Sequence, residues 1–85
     1  DDTVIYLPTE LRQEYWRKII DLARRKKGRL TLLDIIHEAN IPPPIAELLL
    51  AKMEKKGIAR KGGEDFKEGT TWYFPKFYES GKKSP

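Results

Sequence analysis

Three consecutive prolines, Pro42, Pro43 and Pro44, stand in the middle of the stretch ANIPPPIAELLLAKMEKKG, Ala39 to Gly57. Each proline ring holds φ near about −65° and removes a backbone donor. Each also pushes the residue before it towards extended geometry. No helix can run through such a point, but one can begin there, because a helix's first amides have no intrahelical partner. Pro44 is therefore expected to open a helix that continues to about Lys56, with Pro42 and Pro43 in the turn before it and Gly57 as its cap. Asn40 tolerates the left-handed conformation almost as glycine does, so a preceding helix can end there. Ile41 is expected to plug the turn. The tripeptide thus dictates two helices joined by a short, stiff turn.

The flanks supply the rest. Thr9 is a candidate N-cap for a helix running to about Lys27, with Glu10 in its first turn, where the helix dipole favours a carboxylate. Leu11, Tyr15, Trp16, Ile19, Ile20, Leu22 and Ala23 recur at helical spacing and predict one broad apolar face. Gly28 is the expected left-handed cap. Arg29–Leu30 reads as a stub of strand. Thr31 and Asp34 then stand in the relation of a capping box before a helix from Leu32 to Ala39. The last third predicts a β-hairpin, with strands at Ile58–Lys61 and Thr70–Phe74 and GGEDFKEG as the loop between them. Trp72, Tyr73 and Phe74 are expected in its core. Pro75 is expected to halt the second strand. Residues 1–8 form an extended entry, 9–75 the folded domain and 76–85 a loose tail.

Helix, strand stub, helix, turn, helix and hairpin is the order of the winged helix-turn-helix superfamily. The segment from Arg29 to Phe74 resembles its bacterial and archaeal regulators without a gap. The residues that carry the likeness are LT before the second helix, Ile35–Ile36 within it and Ile41 in the turn. Ala46, Leu50 and Met53 in the third helix, KKGIA at its exit and TWYF in the returning strand complete it. The resemblance implies an α+β fold of three helices followed by a β-hairpin wing. It also implies a third helix placed where such proteins meet double-stranded DNA.

Charge agrees with an acidic partner. The chain carries 17 Lys and Arg against 13 Asp and Glu, a net charge of +4 over 85 residues. Its bases cluster in RRKKGR, Arg24 to Arg29, and again in Lys52, Lys55, Lys56, Arg60 and Lys61. At 100° per residue, Ala46, Leu50 and Met53 face the core, while Pro44, Leu48, Ala51, Lys52 and Lys55 face outward. A base-reading helix would place Arg, Asn or Gln there. Lysines suit phosphates, which position a protein without specifying sequence. The expected DNA contacts are Arg29, Thr31, Pro44, Leu48, Lys52, Lys55, Arg60 and Lys61. Thr31 is included because a hydroxyl and unpaired amides at a helix start suit a phosphate.

A second reading gives the same fold to protein assembly or self-association, through Pro42, Pro43, Ile45 and Leu48. The acidic loop residues Glu64, Asp65 and Glu68 favour it, since they repel a phosphate backbone. No cysteine and a single histidine, His37, argue against a metal site, and no cofactor is expected. No nucleophile–base pairing or phosphate loop is present, so an enzyme is not expected. No apolar run of membrane-spanning length occurs, and a cytoplasmic location is the default expectation. The scarcity of side-chain amides, Gln13 and Asn40 alone, is a composition that thermophile proteins share.

Overall fold

The computed structural model describes residues 8–77. Residues 1–7 of the expected entry and 78–85 of the expected tail lie outside the described residues. The elements are α1 (Thr9–Arg25), β1 (Arg29–Thr31), α2 (Leu32–Glu38), α3 (Pro43–Lys55), β2 (Arg60–Asp65) and β3 (Gly69–Tyr73). The strands form one antiparallel sheet in the order β1-β3-β2, so the chain is α+β.

The α1 helix forms because its apolar stripe has a core to meet, and Ile19, Leu22 and Ala23 are buried on it. Its start lies one residue before the expected cap. Pro8, at ψ 144°, takes the cap position without a side-chain bond, and its carbonyl accepts the Arg12 amide at 2.9 Å. Thr9 is already helical, and its hydroxyl accepts from the Arg12 guanidinium at 3.5 Å instead. At the other end α1 stops at Arg25, and the chain reverses through two left-handed residues, Lys27 at φ 60° and Gly28 at φ 87°. The Gly28 amide closes the turn on the Ala23 carbonyl at 2.7 Å. A left-handed lysine costs about 1–2 kcal/mol.

The same turn carries Lys26 to α2, where its Nζ lies 2.9 Å from Glu38 Oε2 and 3.9 Å from Asp34 Oδ1. The hydrogen bond to Glu38, followed by the charge of Asp34, raises the Lys26 pKa above its ordinary value. That tie is fully present below the unfolded lysine's pKa and is lost as pH rises through the folded one.

The capping box is made in both directions. The Asp34 amide donates to Thr31 Oγ1 and the Thr31 amide to Asp34 Oδ2, each at 3.1 Å. The helix it starts ends at Glu38, with Ala39 as its cap, and Asn40 follows in the left-handed region at φ 58°. Ile41 plugs the turn at 1% exposure. The next helix then opens one residue before the sequence expectation. Pro42 is the cap and Pro43 and Pro44 both lie within the first turn. Two prolines fit there because neither amide would have had a partner, and Ala46 supplies the first turn's bond to the Pro42 carbonyl at 2.9 Å.

The hairpin departs most from expectation. Most of GGEDFKEG is strand, not loop: β2 runs to Asp65, and only Phe66, Lys67 and Glu68 form the turn. Lys61 pairs with Trp72 and Glu64 with Thr70, so Gly62 and Gly63 together oppose Thr71. That extra residue is a β-bulge, which bends and twists the strand. The turn is held by Asp65, whose carboxylate accepts the Lys67 amide at 2.8 Å. The Glu68 carbonyl accepts the Leu33 amide at 3.2 Å, which ties the turn to the start of α2. Pro75 ends β3 as expected but opens a helical turn over 75–77, as its fixed φ allows at a first helical position.

The core is continuous across all elements but β2. Ile19, Leu30, Ile35, Ala46, Leu50, Met53 and Phe74 are fully covered, and Trp72 is buried at 6% exposure. Phe77 packs on its margin, under the Arg24 guanidinium at 5.5 Å.

Thr31→Val should keep the β1 geometry and lose only the cap. It should lower stability by about 0.5–2 kcal/mol in urea titration, the ordinary range for a cap. An unchanged midpoint would show that the box contributes nothing.

Candidate nucleic-acid interface

The face of α3 opposite the core is built by helical spacing. Ala46, Leu49, Leu50 and Met53 are buried at 1% exposure or less, so residues about half a turn away must point outward. Pro44, Ala51, Lys52 and Lys55 are exposed there, and Leu48 is half-buried. Leu48 is not among the partly buried side chains that pack against the core, whereas Ile45 is. Ile45 thus belongs to the core margin and leaves the apolar spot expected around Leu48. Pro42 and Pro43 are exposed beside it. Lys52 and Lys55 have no ion-pair partner among the described residues.

The sheet places a second set of cations. Arg29 of β1 and Arg60 of β2 both pair in register with Tyr73 of the central strand. Residues directly opposite one another share a face of a sheet. The order Arg29, Tyr73, Arg60 is therefore one row, its ends two strand spacings or about 10 Å apart. Both arginines are exposed and Tyr73 is half-buried. The tyrosine ring lies across β2 at the bulge, where a Cβ added to Gly62 would fall 2.5 Å from Tyr73 Cε2 and 3.2 Å from the Thr71 carbonyl. Lys61, which pairs with Trp72, is exposed on the opposite face of the sheet and does not join this row.

Thr31 does not join either set. It is 5% exposed, and its hydroxyl and its amide are both engaged in the capping box. A helix start that closes on its own side chains has little left for a phosphate, so Thr31 is a structural residue.

Two further features escaped the sequence reading. A groove of about 660 Å³ lies between α1 and α3, with Trp16, Ile20 and Leu49 among its lining. Its other walls carry Arg12, Arg17, Lys52 and Lys56, and no acid lines it. Arg12 Nε is shielded from solvent and has no hydrogen-bond partner. The second feature is Phe66 at the hairpin turn, 102% exposed and flanked by Glu64, Asp65 and Glu68. Trp16 had the helical spacing of a core residue, and only the packing of α3 beside it turns it into a wall. Phe66 sat inside a stretch read as loop, where a lone aromatic carries no periodic signal.

Comparison with family models, with curated proteins and with solved structures gives no match to this chain.

The bulge glycines make a paired test. Gly62→Ala forces the Tyr73 ring aside and should destabilise by about 1–3 kcal/mol, as overpacking does. Gly63→Ala meets nothing within 4 Å and should stabilise by about 0.4–1 kcal/mol through the unfolded chain. Equal effects in parallel thermal melts would show that the ring does not depend on Gly62.

Proposed function

We propose that this chain is a winged-helix DNA-binding protein that holds the duplex chiefly through its phosphates. The observation that carries the reading is the outer face of α3. It is largely exposed, it ends in Lys52 and Lys55, which have no ion-pair partner among the described residues, and it carries no Arg, Asn or Gln to read a base edge by a paired fork. Cations of that kind position a protein on DNA without choosing a sequence. The Arg29–Tyr73–Arg60 row supplies further phosphate contacts from one face of the sheet, and the element order is that of the superfamily the sequence resembles. Arginine side chains two strands apart on a rigid sheet are better held than the same charges on a loop. The hairpin turn takes no part, because three acids against Lys67 repel a phosphate backbone.

One observation favours a second reading, a protein-interaction module. Phe66 stands wholly exposed on a turn that Asp65 and α2 hold in place, and exposed aromatics are the usual anchors of protein interfaces.

Lys52→Ala combined with Lys55→Ala should leave the fold intact and weaken binding to mixed-sequence duplex. Removing two phosphate contacts should reduce the slope of log K against log salt by about 1.8. Fluorescence anisotropy at several salt concentrations measures this. An unchanged slope would remove α3 from the interface.

A further inference from the structure

We propose that the hairpin turn of one copy docks into the α1/α3 groove of a second copy. This goes beyond DNA binding and rests on the second reading, of which it names the partner. The two surfaces are complementary in three respects. Phe66 is an apolar plug that no described residue covers, and Trp16, Ile20 and Leu49 are an apolar lining with open space above it. Glu64, Asp65 and Glu68, against the single base Lys67, surround the plug, while Arg12, Arg17, Lys52 and Lys56 surround the groove, with no acid among the lining residues. The plug is also narrow, a three-residue turn at the end of a two-stranded ribbon, so it can enter a cleft between helices.

Satisfaction of polar groups points the same way. Among the described residues the Arg12 guanidinium makes a single long bond, 3.5 Å to Thr9 Oγ1, which leaves its outer N–H groups short of acceptors. A carboxylate brought in beside Phe66 gives that guanidinium the acceptor it lacks, and charge-assisted bonds of this kind are the strong ones. The turn enters already shaped, held by the Asp65 side chain and by the Leu33 amide, so little ordering cost is left for binding. One turn in one groove buries less than the roughly 1,200 Å² of a stable interface, which makes the contact weak and transient. Its charges also make it sensitive to salt. Each copy carries one plug and one groove, so the contact is between unlike surfaces and can propagate beyond a pair.

Sedimentation velocity without DNA, over a concentration series up to about 1 mM as a weak contact requires, tests this in low salt. The wild type should show a weight-average coefficient that rises with concentration. Phe66→Ala should stay monomeric, and so should Arg17→Glu combined with Lys56→Glu. All three positions are exposed, and circular dichroism checks that each variant is folded. Mixed in equal amounts, the two variants offer one intact groove and one intact turn. They should then associate, and only as far as a dimer. A wild type that is monomeric throughout would overturn the proposal and leave the groove to the chain's own residues 1–7 or to another protein. Undiminished association of Phe66→Ala, or a mixture that stays monomeric, would overturn it equally.

Discussion

Three residues, Arg29–Thr31, hold the two halves of this molecule together. The strand they form is the shortest in the sheet, yet it pairs with the central strand along its whole length. The Phe74 amide extends that ladder onto the Gly28 carbonyl at 2.7 Å. Leu30, fully buried, lies between the helices and the sheet and puts Trp72 opposite itself in register. The hairpin has no other strand to lean on, and a two-stranded ribbon alone is marginal in water. Its direction, and hence where Arg60, Lys61 and Phe66 point, follows from this pairing. Both ends of the strand are accordingly secured. The left-handed Lys27–Gly28 turn and the Lys26 tie to α2 secure one end, and the Thr31–Asp34 box secures the other.

Local chemistry was legible in the sequence wherever a few neighbouring residues decide the outcome. The capping box, the left-handed Asn40, the plug at Ile41 and the inward face of α3 all follow from spacing and side-chain type. Two helix starts lie one residue earlier than local chemistry suggests: α1 is capped by Pro8 without a side-chain bond, and Pro43 is helical although the proline after it favours extended geometry. The first turn has several amides without partners and accepts two prolines. The larger error was Gly62–Gly63. Adjacent glycines usually mark a loop, but here one extra residue is absorbed as a bulge, and the strand resumes with Glu64 and Asp65. What Gly62 permits is the Tyr73 ring across the strand, a contact between residues eleven positions apart that no window of neighbours reveals.

The candidate site divides along the same line. The exposure of Lys52, Lys55, Arg60 and Lys61 could be read from helical period and composition. Their relation to one another could not. That Arg29 and Arg60 bracket Tyr73 depends on a strand order in which the last strand lies between the first two. That Trp16 walls a basic groove depends on how α1 meets α3. Thr31 shows the converse, because the feature that made it a phosphate candidate, a hydroxyl at a helix start, is the one that consumes it. Apolar and acidic features are thus gathered at the hairpin turn, and basic ones on α3, the sheet row and the groove.

Titrating mixed-sequence duplex into the isotopically labelled protein, and following each backbone amide by heteronuclear NMR, tests the central claim most directly. The account predicts that signals at 51–55 on α3, and at Arg29 and Arg60, move together and return on addition of salt. It predicts that Asp65, Phe66 and Lys67 at the turn stay in place. Shifts centred on the turn, with α3 and the sheet row unmoved, would contradict it.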